Sequence, residues 1–136
     1  MPPLKTYDLF ISHAWRYDDD YYRIVNFLEA ANNFRYRNYS VPQHDPLDAN
    51  DTARLALALQ RQISPVNIVL VLSGMYVNYR EWIQYEIGVA ENYGKPIVGI
   101  KPWGSQRIPT AVQSAAVTMV GWNTSSIVDA IRKYSL

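Results

Sequence analysis

The chain contains no cysteine. That absence removes disulfides, thiolate zinc sites and a cysteine nucleophile, and a reducing cytoplasm is the compartment it fits. No run of apolar residues approaches the length that crosses a bilayer. The opening residues, Met1 to Lys5, lack the apolar segment of a secretory signal. Charge of one sign is also missing: thirteen Lys and Arg stand against twelve Asp and Glu, for a net +1. Without a basic block there is no electrostatic footprint for nucleic acid. Internal repeats, linkers and low-complexity stretches are absent. What is present suits a packed core: 136 residues, 49% of them hydrophobic, read as a single domain spanning residues 1–136. Eleven tyrosines supply packing surface, and some could serve self-association.

The apolar pattern alternates between strands and helices. Residues 7–12 form a first strand whose run Leu9 to Ile11 suits burial on both faces. Asp18, Asp19 and Asp20 open a helix with Tyr21, Ile24, Val25, Leu28 and Ala31 on one face. Three carboxylates complement the dipole at a helix start; holding a divalent cation is the alternative, but adjacent residues converge poorly on one ion, and no metal site is expected. A short second strand is expected at Asn38 to Val41, then a polar, proline-broken loop from Pro42 to Asp51. A helix follows from Thr52 to Ile63, capped by Asn50 or Asp51, and Pro65 ends it. Val66 to Leu72 is the clearest strand, β-branched and bounded by Pro65 and Ser73-Gly74. A helix around Trp82 to Ala90 comes next, with Gly94 and Pro96 as its stop. Then follow a strand from Ile97 to Ile100, a loop to Pro109, and a short helix from Thr110 to Ser114. The chain closes with a strand from Val117 to Trp122 and a helix capped by Ser125 or Ser126.

Five strand–helix units imply a parallel sheet with helices on both faces and right-handed crossovers. The flavodoxin-like strand order 2-1-3-4-5 accommodates five such units. Ligands of these sheets bind beyond the carboxyl ends of the strands, at the switch between the first and third. That rule gathers Ser12, His13, Ala14 and Trp15 with Ser73 and Gly74, under a lid formed by Pro42 to Asp51. Several chemistries lack their residues there. No Asp ends the third strand, which disfavours a phosphoacceptor receiver. No Ser/Thr/Gly-rich phosphate loop follows the first strand, which disfavours a flavodoxin. The Gly-x-Ser-x-Gly elbow of a Ser-His-Asp hydrolase is missing, and Ser12 and His13 are neighbours whose side chains diverge on a strand.

The richest stretch runs from Tyr79 to Ile100. Ile83, Ile87 and Ala90 make one helical stripe. Trp82 and Glu86, four residues apart, share a face beside it. Glu86 is therefore expected half-buried near the helix surface, where desolvation raises a carboxylate's pKa and strengthens any charge it meets. A structural alternative stands beside this: Trp82 as core, Glu86 paired with an Arg or Lys.

Three segments then carry a resemblance. Tyr7-Asp-Leu-Phe-Ile-Ser12 matches the opening strand motif of TIR domains, Trp82-Ile-Gln-Tyr-Glu86 matches their Trp-x-x-x-Glu spacing, and Gly121-Trp122 falls where their last motif, Phe-Trp, would lie. In order and over essentially the whole length, the chain resembles a TIR-like domain of the compact bacterial and archaeal branch, specifically the TIR-like subunits of the Thoeris anti-phage system. The resemblance implies cleavage of the nicotinamide N-glycosidic bond of NAD, to ADP-ribose or a cyclic ADP-ribose type signal read by a separate effector. It implies Glu86 as the catalytic residue and Trp82 stacking on a nucleotide ring. Phe10, Ser12, His13, Ala14, Asp45 and Ser73 would contact substrate. NAD is a substrate here, so no cofactor is implied, and neither nucleic acid nor membrane is an expected partner. Self-association is expected, because TIR active sites commonly form between copies. Two features depart from the pattern. The Arg that often follows the opening Ser is replaced by His13, Ala14 and Trp15, with Arg16 displaced. The lid, with His44, Asp45 and Asp48, does not match the loop of animal adaptors, so adaptor-type signalling is not expected. A non-catalytic scaffold and a nucleoside deoxyribosyltransferase-like enzyme remain as alternatives.

Overall fold

The computed structural model describes residues 5–12, 18–39, 60–72, 80–101 and 110–136. Five strands appear in it: β1 (Thr6–Ser12), β2 (Arg35–Asn38), β3 (Ile68–Leu72), β4 (Ile97–Ile100) and β5 (Thr118–Val120). Between and after them lie α1 (Asp18–Glu29), α2 (Arg80–Asn92), α3 (Thr110–Ala115) and α4 (Thr124–Tyr134). Residues 60–63 are helical as well. The strands form one parallel sheet in the order β2-β1-β3-β4-β5, the flavodoxin-like order the alternation implies.

Burial explains the strand sequences. Leu9, Ile11, Ile68, Val69, Leu70, Val71, Val98 and Ile100 are all 0% exposed, as expected where helices cover both faces of a parallel sheet. Registered residues of neighbouring parallel strands share a face. One face therefore carries Phe10, Val69, Ile97, Gly99 and Met119. A Cβ at Gly99 would run into Met119 Sδ and lie 3.2 Å from Val112 Cγ1 of α3, so α3 covers this face, and α2 packs beside it. The opposite face carries Tyr7, whose ring stacks on Phe34 at 5.4 Å. Arg132 of α4 lies over that same Phe34 ring, and α1 packs against α4. The helices thus split into an α2/α3 layer and an α1/α4 layer.

The second strand lies at Arg35–Asn38, three residues earlier than the expected Asn38 to Val41. The reason is that β2 is an edge strand, polar and mostly exposed, so it offers no apolar run to recognise. Across the pair, Arg37 donates to both carboxylate oxygens of Asp8 at 2.6 and 3.0 Å from the position directly opposite. The hydrogen bond to Asp8, and then its charge, hold the Arg37 pKa above its ordinary value. Such charges also blunt an open sheet edge. The cap of the last helix differs too. Asn123, not Ser125 or Ser126, is the N-cap, and its side chain accepts from the Ser126 amide at 2.8 Å.

Asn67 ties the amino ends of the central strands together. Its Oδ1 accepts from the Asp8 amide at 2.9 Å, and its own amide donates to the Asp8 carbonyl at 2.7 Å. Its carbonyl accepts the amide of Leu136, so α4 is drawn to the same place.

Candidate active site

The carboxyl ends of β1 and β3 lie side by side, with Ser12 opposite Val71. The next described element after β3 is α2, which starts at Arg80. It therefore runs back over the sheet from the carboxyl edge, as a right-handed crossover requires. Trp82 is its third residue and Glu86 its seventh. At 1.5 Å per residue they sit about 3 Å and about 9 Å from its first residue, with Trp82 nearer the edge.

The helix ends where its glycine demands. Gly94 has φ +69°, a conformation that favours residues without a Cβ. The Gly94 amide donates to Glu91 and the Lys95 amide to Ala90, at 3.0 and 2.9 Å. This pair of bonds is a Schellman closure, and Pro96 leads directly into β4.

The buried face of α2 carries Ile83 at 0%, Glu86 at 1%, Ile87 at 6% and Ala90 at 0% exposure. Glu86 is thus inside the apolar stripe and not beside it at the helix surface, which corrects the expectation of a half-buried position. The helical offsets 83, 86, 87 and 90 are those of a single face; the sequence pattern placed Glu86 on its margin because a carboxylate is seldom core. Glu86 is the one buried charged side chain among the described residues. Its Oε2 accepts no hydrogen bond from the described residues, while the residue itself is engaged by another interaction.

The expected site residues divide as follows. Phe10 is 3% exposed and lies on the sheet face that α2 and α3 cover, the same layer as Glu86. Ser12 ends β1. Trp82 is within α2, one turn from Glu86. His13, Ala14, Asp45 and Ser73 lie outside the described residues, as do Arg16 and the lid. Phe10 and Glu86 are therefore brought to one side of the sheet near its carboxyl edge. Among the described residues, no group of three His, Cys, Asp or Glu is placed to hold a metal ion, and no helix is long and apolar enough to cross a membrane.

One part of this region escaped sequence reasoning. Gly88 lies on the exposed face of α2 between two grooves. A groove of about 660 Å³ is lined by Gln60, Tyr85, Gly88 and Asn92, and one of about 290 Å³ by Gly88, Ala111, Ser114 and Ala115. The available signal was the glycine itself, a weak helix former in mid-helix.

Chemically, a carboxylate withdrawn from water acts strongly on any charge that reaches it, because the local dielectric is low. A single one can stabilise a developing cation or hold hydroxyl groups.

Comparison with known proteins agrees with the sheet order. The CMP N-glycosidase BcmB of Clostridium botulinum has a similar structure, with a TM-score of 0.52 at 16% identity, over 93% of this chain and 99% of that one. That likeness establishes the shared fold. No curated protein matches the sequence. The family described as Thoeris protein ThsB, TIR-like domain, matches residues 10–107, a span that includes Phe10, Ser12, Trp82 and Glu86. The chain belongs to the Thoeris ThsB TIR-like domain family.

Proposed function

We propose that the protein cleaves the N-glycosidic bond of NAD, releasing nicotinamide, with Glu86 as the acting carboxylate. The observation that carries this reading is the burial of Glu86 in the apolar stripe of α2. A charged residue placed in a core costs stability, and such sites are retained where chemistry uses them. Family membership supports the reading, and so does the fold shared with an enzyme named for cleaving a nucleotide N-glycosidic bond.

The chemistry asks little of the protein. Nicotinamide in NAD is joined to ribose through a cationic ring nitrogen. When that C–N bond breaks, its electron pair returns to the nitrogen and nicotinamide leaves neutral, without being protonated. The positive charge passes to the ribose as an oxocarbenium ion. Glu86 stabilises that charge electrostatically or holds the ribose hydroxyls, and a second carboxylate of the ordinary glycosidase kind is not needed. Attack by water, with loss of its proton, gives ADP-ribose. Attack by an atom of the same ADP-ribose gives a cyclic product, favoured where water is excluded. A signal of that kind fits a role in anti-phage defence with a separate effector.

The test is incubation of concentrated protein with NAD, and with CMP in parallel, followed by chromatography and mass measurement of bases and nucleotides. Glu86→Gln is the companion variant, since it keeps the shape of the buried group and removes its charge. We expect nicotinamide release from the parent chain to fall by about 10²–10³-fold in the variant, the loss of a principal electrostatic contributor. Full turnover by Glu86→Gln would refute the assignment of Glu86. Release of cytosine with NAD untouched would move the substrate to a nucleoside monophosphate, the reading that the BcmB-like fold favours.

A further inference from the structure

The apolar setting of Glu86 is built in part by the sheet beneath α2, and direction, side and depth show which strand residues supply it. Gln84, Gly88 and Glu91 are exposed along the outer side of α2. A helix turns by about 100° per residue, so Glu86 stands within about 20° of directly opposite Gly88 and points at the sheet. Tyr85, Val89 and Asn92 line the groove toward residue 60, and Ile87 the one toward α3. Glu86 is about 60° from Val89 and about 100° from Ile87 around the axis, so it leans toward the side of residue 60. The helical residues 60–63 lead into β3 from the crossover that passes over β1. The lean is therefore toward β1 and away from β5.

Depth agrees. Glu86 lies about 9 Å from the start of α2. Phe10 and Val69 lie two and three residues from the ends of their strands, about 7 and 10 Å from the same edge. Phe10, Val69 and Ile97 form one registered row on the face that α2 and α3 cover, and all three are buried. Phe10 has the largest side chain of the row and stands at its β1 end, the side to which Glu86 leans.

We propose that Phe10 is a positioning residue for Glu86: its ring walls the carboxylate from the sheet side, and it bears on cleavage through Glu86 and not by touching substrate. The proposal rests on Glu86 being the acting carboxylate. It gives Phe10 a different part from the substrate contact that the family resemblance implies. The ring has no polar atom to offer a dinucleotide. What it sets is where the carboxylate stands and how dry its surroundings are, and a misplacement of about 1 Å can cost about 10²-fold in rate.

The test combines Phe10→Leu with Glu86→Gln in two double-mutant cycles, one read by nicotinamide release and one by urea unfolding. Ile11→Val, at a 0% exposed position on the opposite face of the same strand, is the control for lost core packing alone. We expect Phe10→Leu to lower kcat about tenfold with KM kept within about twofold. In the Glu86→Gln chain it should change the residual rate by less than about twofold. Ile11→Val should leave kcat and KM unchanged. In unfolding, the joint effect of Phe10→Leu and Glu86→Gln on the folding equilibrium should depart about fivefold or more from the product of the single effects, whereas Ile11→Val and Glu86→Gln should multiply within about twofold. A rise in KM with kcat kept would make Phe10 a substrate contact and overturn the proposal. An equal loss of rate in the Glu86→Gln chain, or unfolding effects of Phe10→Leu and Glu86→Gln that simply multiply, would overturn it as well. If Phe10→Leu does not fold, Phe10→Met takes its place. Lack of nicotinamide release from the parent chain would overturn the assigned chemistry alone, and the unfolding cycle would still decide whether Phe10 bears on Glu86.

Discussion

At Gly99 the side chain of its neighbour on β5, Met119, lies over the glycine so closely that an added methyl group would have to displace it. A Cβ there would meet Met119 Sδ, lie 2.8 Å from Cε and reach 3.2 Å from Val112. The Met side chain is flexible and can give way, so Gly99→Ala should cost only about 1–2 kcal/mol in urea unfolding, the lower part of the overpacking range. Gly99→Val, which adds bulk that Met119 cannot clear, should cost more. Glu86 invites the opposite experiment. Glu86→Leu replaces a buried carboxylate by an apolar group in an apolar stripe. It should remove nicotinamide release, read by chromatography after incubation with NAD. Release at the parent rate from Glu86→Leu would mean that the carboxylate takes no part in the chemistry. Sequence identified this residue and its spacing from Trp82, but put it too near the surface. Helical periodicity locates a face to within about one residue step of 100°, and the true packing of 83, 86, 87 and 90 falls within that margin. Asp8, part of the opening motif, had no role assigned from sequence. It binds Arg37 across the strands, a pairing that only the register reveals.

Among the elements, α2 was the most legible, because its stripe, its glycine stop and its following proline all agree. Gly94 adopts the left-handed conformation that a C-terminal glycine implies. Gly94→Ala should therefore lower stability by about 1 kcal/mol, measured by urea unfolding. The least legible element was β2. A central strand announces itself by β-branched residues, whereas Arg35–Asn38 is mostly exposed and is fixed by partners remote in sequence. The last helix was found but its cap was misplaced by two or three residues. Four residues of capping type, Asn123, Thr124, Ser125 and Ser126, stand in a row, and Asn123 prevails because its side chain reaches the Ser126 amide.

At the scale of the whole molecule, strict alternation of strand and helix implied the parallel sheet, and the flavodoxin-like order that suits five such units is the one found. It could not give the grooves beside Gly88, which depend on how the side chains of α2 and its neighbours are arranged. The order β2-β1-β3-β4-β5 has one more consequence, for synthesis. The first strand made is an interior strand, and one of its two neighbours comes late: Asp8 meets Asn67 across 59 residues. Until β3 emerges, Leu9, Phe10 and Ile11 have an open backbone edge and apolar faces with little to cover them. Non-local pairing of this kind slows folding, and exposed strand edges in partly made chains invite aggregation. The ribosome-bound chain is thus most vulnerable over the interval between β1 and β3, and slower translation there would lengthen the exposure.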